Sequence, residues 1–492
     1  MLKKKILSNT LINSGGKLLS FFLQLFIIAY LIKAFGRDTY GIFALSLAIS
    51  ANTNLLEAGF GLSVTKYVAE YHASGDRESL LKIINTNFLV STVLAALFSV
   101  ILLLINEFFL DRIFFIPAEL IKDAKGLIRI LISLSIIEFW SASIIRIAEG
   151  FQKYFLVRVI ESVKWVLRSG FIVIATVMGY GLAGIGAAYL AAGVLILIVL
   201  YLAVFAGNSS LVIGIRFMNM DSFKSLFGFS IWIFLSKMFA FFSYRIDTIL
   251  IGIFLTPVYL TYYNVAFKIY EMASFCFSVL SYTVVPVSSE LNAVSDKKRL
   301  YLLFQKSTKY LLLGMYPVLV FIMFYCSFII RLWIGEGFEA SVMLCQLFII
   351  SLFFTAVGFS GAQIVVGLNR LKELVLYSGI ATMINFTISL VLIQKIGVNG
   401  VVIGTITGTI IIMTGYLYYF MRLFDFTFTN FLKNILLWPL VTVAMLSIFF
   451  VITKNFYTGL IALVFTIFIV FKFIVDKEDR EVILRLAFLR KV

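Results

Sequence analysis

Long apolar segments, each about twenty residues in length and separated by short polar loops, recur throughout this chain of 492 residues. A helix of that length and hydropathy crosses the hydrocarbon core of a bilayer, where each backbone amide must find its partner within the helix. The composition agrees, since 62% of the residues are hydrophobic and 13% are charged, and the mean hydropathy is +1.05. The chain is therefore predicted to be an all-α integral membrane protein.

A window of about twenty residues finds fourteen candidate transmembrane spans. Lys and Arg recur in alternate short loops, which by the positive-inside rule indicates that both termini are cytoplasmic. The net charge of +16 thus reflects the topology, and we expect a multi-pass membrane protein with no nucleic-acid partner. The approximate cores of the spans are 11–34, 41–65, 84–106, 126–148, 156–178, 182–205, 224–254, 259–287, 305–330, 340–366, 374–394, 398–420, 431–452 and 456–475.

Motifs recur at a nearly constant offset of about 217 to 220 residues, which indicates an internal repeat. Lys17-Leu-Leu-Ser-Phe-Phe22 matches Lys237-Met-Phe-Ala-Phe-Phe242, and Gly181-Leu-Ala-Gly184 matches Gly397-Val-Asn-Gly400. The repeat unit holds an even number of spans, so the two copies are predicted to be related by a pseudo-two-fold axis along the membrane normal. The predicted organisation is 1–206, an N-lobe with helices 1–6; 207–223, a cytoplasmic linker; 224–429, a C-lobe with helices 7–12; 430–475, helices 13 and 14; and 476–492, a cytoplasmic tail.

The fifth span contains a stripe of charge that lipid would not tolerate. Glu161, Lys164 and Arg168 fall on one narrow helical face at about 100° per residue, and Arg158 lies close beside it. If the helix enters the bilayer near Phe155, Arg168 lies roughly 20 Å deep, too far for its side chain to reach the near interface. An unpaired charge facing lipid there is costly, so we expect the stripe to face protein or water.

Ionisable residues also occur inside other spans. Mutual pairing explains some of them, because Lys268 and Glu271 have the spacing of a same-face helical pair and Glu161 can pair with Lys164 or Arg158. It explains the whole set poorly, since charge within the membrane is costly and a bundle packs without it. The cleft between the two predicted lobes is the natural place for such buried charge. A surplus of fixed positive charge in this cleft attracts an anion, such as a phosphate. The candidate substrate-binding residues are Lys17, Arg146, Lys164, Arg168, Lys237, Arg245 and Lys268.

The second copy of the repeat lacks the stripe. The positions that match Arg158, Glu161, Lys164 and Arg168 carry no charge. We therefore expect the stripe to be a specific addition to the first lobe that makes substrate recognition asymmetric. The matching residues are Val375, Ser378, Ala381 and Asn385.

Four motifs lie at or near the ends of predicted spans: Gly36-Arg-Asp-Thr-Tyr-Gly41 is a turn after the first span, Leu55-Leu-Glu-Ala-Gly-Phe-Gly61 ends the second, Lys66-Tyr-Val-Ala-Glu70 follows it, and Glu149-Gly-Phe-Gln152 follows the fourth. These motifs resemble those of the polysaccharide flippases, which implies a location in the bacterial cytoplasmic membrane. Together with the fourteen spans, they make the chain similar to the O-antigen and teichoic-acid translocases of the multidrug, oligosaccharidyl-lipid and polysaccharide exporter superfamily. The resemblance covers nearly the whole chain.

The resemblance implies two six-helix lobes that move an undecaprenyl-diphosphate-linked oligosaccharide across the membrane by alternating access, for surface polysaccharide biosynthesis. Coupling to a proton or sodium ion is implied as well, with Glu57, Glu161 and Asp247 as candidate carriers. The sequence contains no Gly-x-x-x-x-Gly-Lys-Ser/Thr motif, so we expect no ATP hydrolysis by this chain. We expect a transporter and not an enzyme, without cofactor or metal, and an association with polysaccharide polymerase machinery.

Three alternatives stay open at this point. A multidrug and cation antiporter of the same superfamily would share the fold, although a basic cleft disfavours cationic drugs. A membrane glycosyltransferase, polymerase or ligase would act on the same glycans, but no outside loop is long enough to form a domain. A peptidoglycan-precursor flippase would share both the fold and the anionic substrate.

Overall fold

The computed structural model describes residues 2–50, 53–206, 211, 214, 219–282 and 284–476, and every regular element within these ranges is helical. The helices up to the middle of the chain are α1 (Leu2–Ser50), α2 (Thr53–Ser74), α3 (Arg77–Leu104), α4 (Leu110–Ile113), α5 (Ala118–Gly150), α6 (Tyr154–Val177), α7 (Gly181–Tyr201) and α8 (Met220–Phe254). The remaining helices are α9 (Pro257–Tyr282), α10 (Val284–Ala293), α11 (Lys297–Trp333), α12 (Glu339–Gly367), α13 (Leu371–Ile396), α14 (Val398–Phe424), α15 (Phe428–Phe431), α16 (Leu437–Thr453) and α17 (Phe456–Ile469).

Eleven helical segments in the described part of the chain are long and apolar enough to cross a membrane. The all-α membrane fold predicted from the sequence is thereby confirmed. The predicted fourteen spans exceed this number partly because the fifth, on α6, is interrupted by the charged stripe and is less apolar than a lipid-facing helix. It is nevertheless one continuous helix of 24 residues, long enough to cross the hydrocarbon core.

A sharp turn at Gly36 divides α1. Gly36 has φ 82° and ψ 176°, a conformation that only glycine adopts without strain. The predicted turn between the first and second spans is therefore present at the glycine that opens the Gly36–Gly41 motif. Directly after it, Gly41 packs against the backbone of Pro257 at the start of α9, where a side chain would collide.

The helices form two compact units. One comprises residues 1–264 and 389–401, and the other comprises residues 265–388 and 402–492. These units do not coincide with the predicted lobes, and both the lobe boundaries and the pseudo-two-fold axis stay predictions. Most of the predicted linker lies outside the described residues. Its described part is held by α3, since Asn85 Oδ1 accepts from the backbone amide of Gly214 at 2.7 Å.

In the first unit, α5 packs against α2, α3 and α7, and α6 packs against α1 and α7. Branched aliphatic side chains from these helices fill the space between them and fix the position of α5 relative to α6. The buried cluster includes Val64, Val68, Ile83, Ile84, Ile147, Ile160 and Leu200.

In the second unit, α11 packs against α12, α16 and α17. An aromatic cluster closes this contact, with Phe321, Tyr325 and Phe450 as its largest buried members. The outward faces of α16 and α17 carry exposed apolar side chains such as Ile452 and Ile461, as expected of helices that face lipid.

Candidate functional site

A short turn joins α5 to α6 and brings the charged stripe of α6 alongside α5. The turn consists of Phe151 to Lys153, and Gln152 within it has a left-handed φ of 60°. Gly150, the last residue of α5, lies against Val68 of α2, where a side chain would meet Val68 Cβ at 2.7 Å. The close approach of α2 and the short turn together set the register of α6 against α5.

Near the turn, Glu149 accepts from two arginines. Arg146 Nη1 lies 2.8 Å from one carboxylate oxygen of Glu149, and Arg158 Nη2 lies 3.1 Å from the other. Arg158 also donates to Glu161 at 2.6 Å. Glu149 is 4% exposed, and a carboxylate buried to this degree is stable only with such charged donors around it.

About three turns deeper along α5, Glu138 accepts from two cations of α6. Lys164 Nζ donates to one oxygen, and Arg168 Nη2 donates to the other at 3.1 Å. The guanidinium of Arg168 also lies 4.2 Å from the ring centroid of Tyr189 on α7, a favourable cation–π arrangement. These contacts place Lys164 and Arg168 of the stripe against protein, as the sequence predicted.

The seven ionised side chains form one group, which we call the α5–α6 ionic cluster. It contains four cations and three carboxylates, so it carries a surplus of one positive charge. Among the described residues, Arg168 Nε has no hydrogen-bond partner, and the side chain of Arg168 is 10% exposed. The cluster consists of Glu138, Arg146, Glu149, Arg158, Glu161, Lys164 and Arg168.

Six of these side chains line a cavity of about 190 Å³ between α5 and α6, with Ile196 of α7 on its wall. Arg146, Arg158 and Lys164 face it, together with all three carboxylates of the cluster. The lining is therefore balanced in charge. Arg168 lies behind the cavity and does not line it, so the surplus charge of the cluster is held at its buried end.

Helix α2 leaves room for one of the cavity arginines. A Cβ atom at Gly61 would lie 2.7 Å from Arg146 Nε, closer than real side chains approach one another. Thr65, one turn further along α2, donates to the backbone carbonyl of Arg146 at 3.2 Å. The glycine that ends the Leu55–Gly61 motif thus has a structural role, which is to admit the Arg146 side chain.

A family model described as polysaccharide biosynthesis protein matches residues 6–292, which include the whole ionic cluster. The chain belongs to this family. It is also 22% identical over 375 residues to a candidate O-antigen transporter from Shigella flexneri, an alignment that covers 75% of this chain and 86% of that protein.

Solved structures of membrane transporters share the fold of this polysaccharide biosynthesis protein. The lipid II flippase MurJ in an inward closed conformation superposes with a TM-score of 0.77 at 15% identity, covering 98% of this chain and all of that one. An inward-facing multidrug resistance MATE transporter of the MOP superfamily superposes with a TM-score of 0.70 at 16% identity, covering 82% and 94% of the two chains. The protein is therefore a multi-pass membrane protein with the fold of the MOP transporters.

The predicted site residues of this family member fall into three groups. Arg146, Glu161, Lys164 and Arg168 come together in the ionic cluster. The side chains of three others lie outside the part of the chain that the structure describes, so their predicted roles remain predictions; they are Lys17, Glu57 and Lys237.

Arg245, Asp247 and Lys268 form the third group, and none of them lines the cavity between α5 and α6. Asp247 of α8 is 1% exposed and accepts from the hydroxyl of Tyr263 on α9 at 3.0 Å, whereas Arg245 is half-buried. Lys268 donates to Glu271 at 2.6 Å, which is the same-face pair that the sequence predicted. Their roles in binding and coupling stay predictions.

The face of α13 that the predicted repeat matches with the stripe makes ordinary helix packing. Ser378 of α13 lies 3.0 Å from the hydroxyl of Tyr416 on α14, and a Cβ at Gly408 of α14 would lie 2.9 Å from the Cβ of Asn385. Neutral polar groups thus close this contact by hydrogen bonding and close approach. The charged face of α6 instead borders a cavity.

Three members of the cluster were not among the predicted site residues, namely Glu138, Glu149 and Arg158. Glu138 and Glu149 are eleven residues apart, a spacing that places both on one face of α5. Arg158 was recognised as part of the stripe but was not assigned to the site. The common face of the two glutamates is a sequence signal for a charged partner, although it does not identify α6 as the helix that supplies it.

Proposed function

We propose that this protein is a flippase that moves an undecaprenyl-diphosphate-linked oligosaccharide across the cytoplasmic membrane, with the cavity between α5 and α6 as the site that receives the diphosphate. The observation that carries the proposal is that Arg146, Arg158 and Lys164 line one cavity within a member of the polysaccharide biosynthesis family. Guanidinium and ammonium groups that converge within a low-dielectric site bind phosphate oxygens through short, charge-assisted hydrogen bonds.

The cations of the cavity differ in how they suit a phosphate. Arg146 and Arg158 each carry a planar fork of donors that matches two phosphate oxygens, whereas Lys164 supplies a compact charge. Each of these three cations forms an ion pair with a carboxylate of the cluster. Phosphate binding is then an exchange of one anion for another, which avoids leaving a buried cation unpaired.

The balanced charge of the lining supports ion coupling. Three cations face three carboxylates, so a diphosphate can enter without a net negative charge only if a cation accompanies it. Glu161 suits this role, because it lines the cavity and its side chain is 42% exposed, within reach of water. A proton or sodium ion that neutralises Glu161 would release Arg158 to the phosphate, and the same ion would leave with the substrate.

The rival functions differ in the substrate that the cavity must accept. Charge balance in the cavity does not by itself distinguish an anionic headgroup from a cationic drug. Membership in the polysaccharide biosynthesis family does, and it favours the lipid-linked glycan. A catalytic role in glycan synthesis receives no support from the fold, which is that of transporters.

The experiment that tests the proposal is complementation of a strain that lacks the gene. The variant Arg158→Gln/Lys164→Gln should reach the membrane in normal amount and fail to display the glycan at the cell surface. Arg129→Gln is the matched control, because Arg129 of the neighbouring helix α5 is also in an ion pair, with Glu107 at 2.7 Å, but does not line the cavity. Normal glycan display by the double variant would contradict the proposal, as would an equal loss in the control.

A further inference from the structure

We propose that Glu138 competes with the substrate for Lys164. Glu138 is paired with Lys164 when no headgroup is bound, and the pair breaks when the diphosphate of the headgroup binds Lys164. Arg168 then keeps Glu138 paired and is a positioning residue that does not touch the substrate. This inference rests on the proposed function of the cavity, and it names the residues that set the affinity there.

The geometry distinguishes the two cations that share Glu138. Lys164 lines the cavity, whereas Arg168 does not. Arg168 is fixed from two further sides, with its guanidinium 4.2 Å from the ring centroid of Tyr189 and 5.3 Å from that of Trp165. A lysine on a flexible four-carbon stem can turn from one acceptor to another. A guanidinium that contacts two aromatic rings would lose these favourable cation–π contacts if it turned away.

The charge balance also requires such a division of roles. If both cations left Glu138 for the substrate, a carboxylate of which the side chain is 22% exposed would lose its partners, which is strongly unfavourable. If neither left, Lys164 could not bind the phosphate. When only Lys164 moves, every charge remains paired at each step of the exchange, because Arg168 still bonds to Glu138 at 3.1 Å.

Glu138 and Glu149 differ in this respect. Glu149 is bonded to Arg146 and Arg158, and both of these arginines line the cavity. Neither of them lies behind Glu149 as Arg168 lies behind Glu138. Of these two carboxylates, and among the described residues, only Glu138 is paired both with a cation that lines the cavity and with one that does not.

The test is the affinity of the purified protein in lipid nanodiscs for farnesyl diphosphate, with uncharged farnesol as the control ligand. Glu138→Gln keeps the shape of the side chain and removes its charge, so it should tighten binding by about tenfold, the equivalent of one charge-assisted hydrogen bond. Lys164→Gln should weaken binding by about tenfold for the same reason. Glu138→Asp, which keeps the charge with a shorter reach, should lie between the wild type and Glu138→Gln.

Arg168→Gln provides the decisive comparison. With its second partner gone, Glu138 should hold Lys164 more tightly, and binding should weaken. Adding Glu138→Gln should restore the affinity to within about threefold of Glu138→Gln alone, because a residue that acts only through its bonded partner loses its effect when the charge of that partner is removed. A purely structural role of Arg168 would not produce such a rescue.

The outcomes separate this inference from the proposed function. Unchanged or weaker binding by Glu138→Gln, with Lys164→Gln still impaired, would overturn the competitor role and leave the cavity as the binding site. A double variant as weak as Arg168→Gln would also overturn it, because Arg168 would then contact the diphosphate itself. If neither Lys164→Gln nor Arg158→Gln weakened binding, both the competitor role and the proposed site would fail.

Discussion

Arg168 donates to Glu138 at 3.1 Å across thirty residues of sequence, from the middle of one membrane helix to the middle of its neighbour. The bond joins the deepest charge of the α6 stripe to α5, and it explains why a guanidinium is tolerated at that depth. One carboxylate shared by Lys164 and Arg168 cannot neutralise both cations. The one surplus positive charge of the cluster therefore lies at Arg168, behind the cavity, while each cation that lines the cavity is paired with a carboxylate.

Glu149→Gln should destabilise the first unit. The substitution removes a carboxylate that is 5% exposed in its side chain and lies between Arg146 and Arg158, which raises the surplus of the cluster from one positive charge to two. The expected cost is about 3–5 kcal/mol, measured as a lower unfolding temperature of the detergent-solubilised protein. Glu78→Gln is the matched control, since Glu78 pairs with Lys82 but is 78% exposed, and it should change stability by about 0–1 kcal/mol. Equal effects of the two variants would contradict a buried ion pair at Glu149.

Gly61→Val should impair export of the glycan, because the new side chain would occupy the space of Arg146 and force it away from the cavity. We expect surface glycan to fall at least about tenfold, in proportion to the loss of a charge-assisted phosphate contact. Gly126→Val is the control, since nothing lies within 4 Å of a Cβ at Gly126. Normal export by Gly61→Val would show that Arg146 need not hold its observed position.

Asp247→Asn tests the predicted role of Asp247 in ion coupling. The amide oxygen can still accept the hydrogen bond from Tyr263 that the carboxylate accepts at 3.0 Å, while the ability to carry a proton or bind a cation is lost. Translocation in vesicles should then no longer respond to an imposed proton or sodium gradient. Tyr263→Phe should cost about 1 kcal/mol of stability and keep the response. A full response by Asp247→Asn would exclude Asp247 as a carrier.

The predicted orientation has a direct test in cysteine labelling of intact cells. A membrane-impermeant maleimide should label a cysteine at Lys122, in the predicted outside loop before the fourth span, and should not label one at Lys298, in a predicted cytoplasmic loop. The three native cysteines would first be replaced by alanine. The reverse pattern would place both termini outside, contrary to the positive-inside rule.

The sequence alone predicted the helical class, the turn at Gly36 and the stripe, because these depend on hydropathy and on spacing within one helix. The Lys268–Glu271 pair was predictable for the same reason. The partners of the stripe were not, because Glu138 reaches Lys164 only through the relative register of two helices. That register depends on the close packing of Gly150 against Val68 and on the space that Gly61 leaves, and neither can be read from periodicity.

The equal number of cations and carboxylates in the cavity lining could not be predicted from the sequence either. The sequence places Glu149 just after the fourth predicted span, yet Glu149 is 4% exposed. Its burial depends on the packing of α2 across the end of α5. Sequence counts of cations inside the spans therefore predicted a surplus, whereas the described cavity lining pairs each cation with a carboxylate.

The most direct test of the central claim is translocation by the purified protein in proteoliposomes. The substrate would be a fluorescent undecaprenyl-diphosphate-linked oligosaccharide, and its exposure on the outer leaflet would be followed with a membrane-impermeant quencher. We predict translocation by the wild type and by Arg129→Gln, and its loss in Arg158→Gln/Lys164→Gln. Translocation by the double variant at the wild-type rate would contradict the account, because the substrate would then cross without the cations of the α5–α6 cavity.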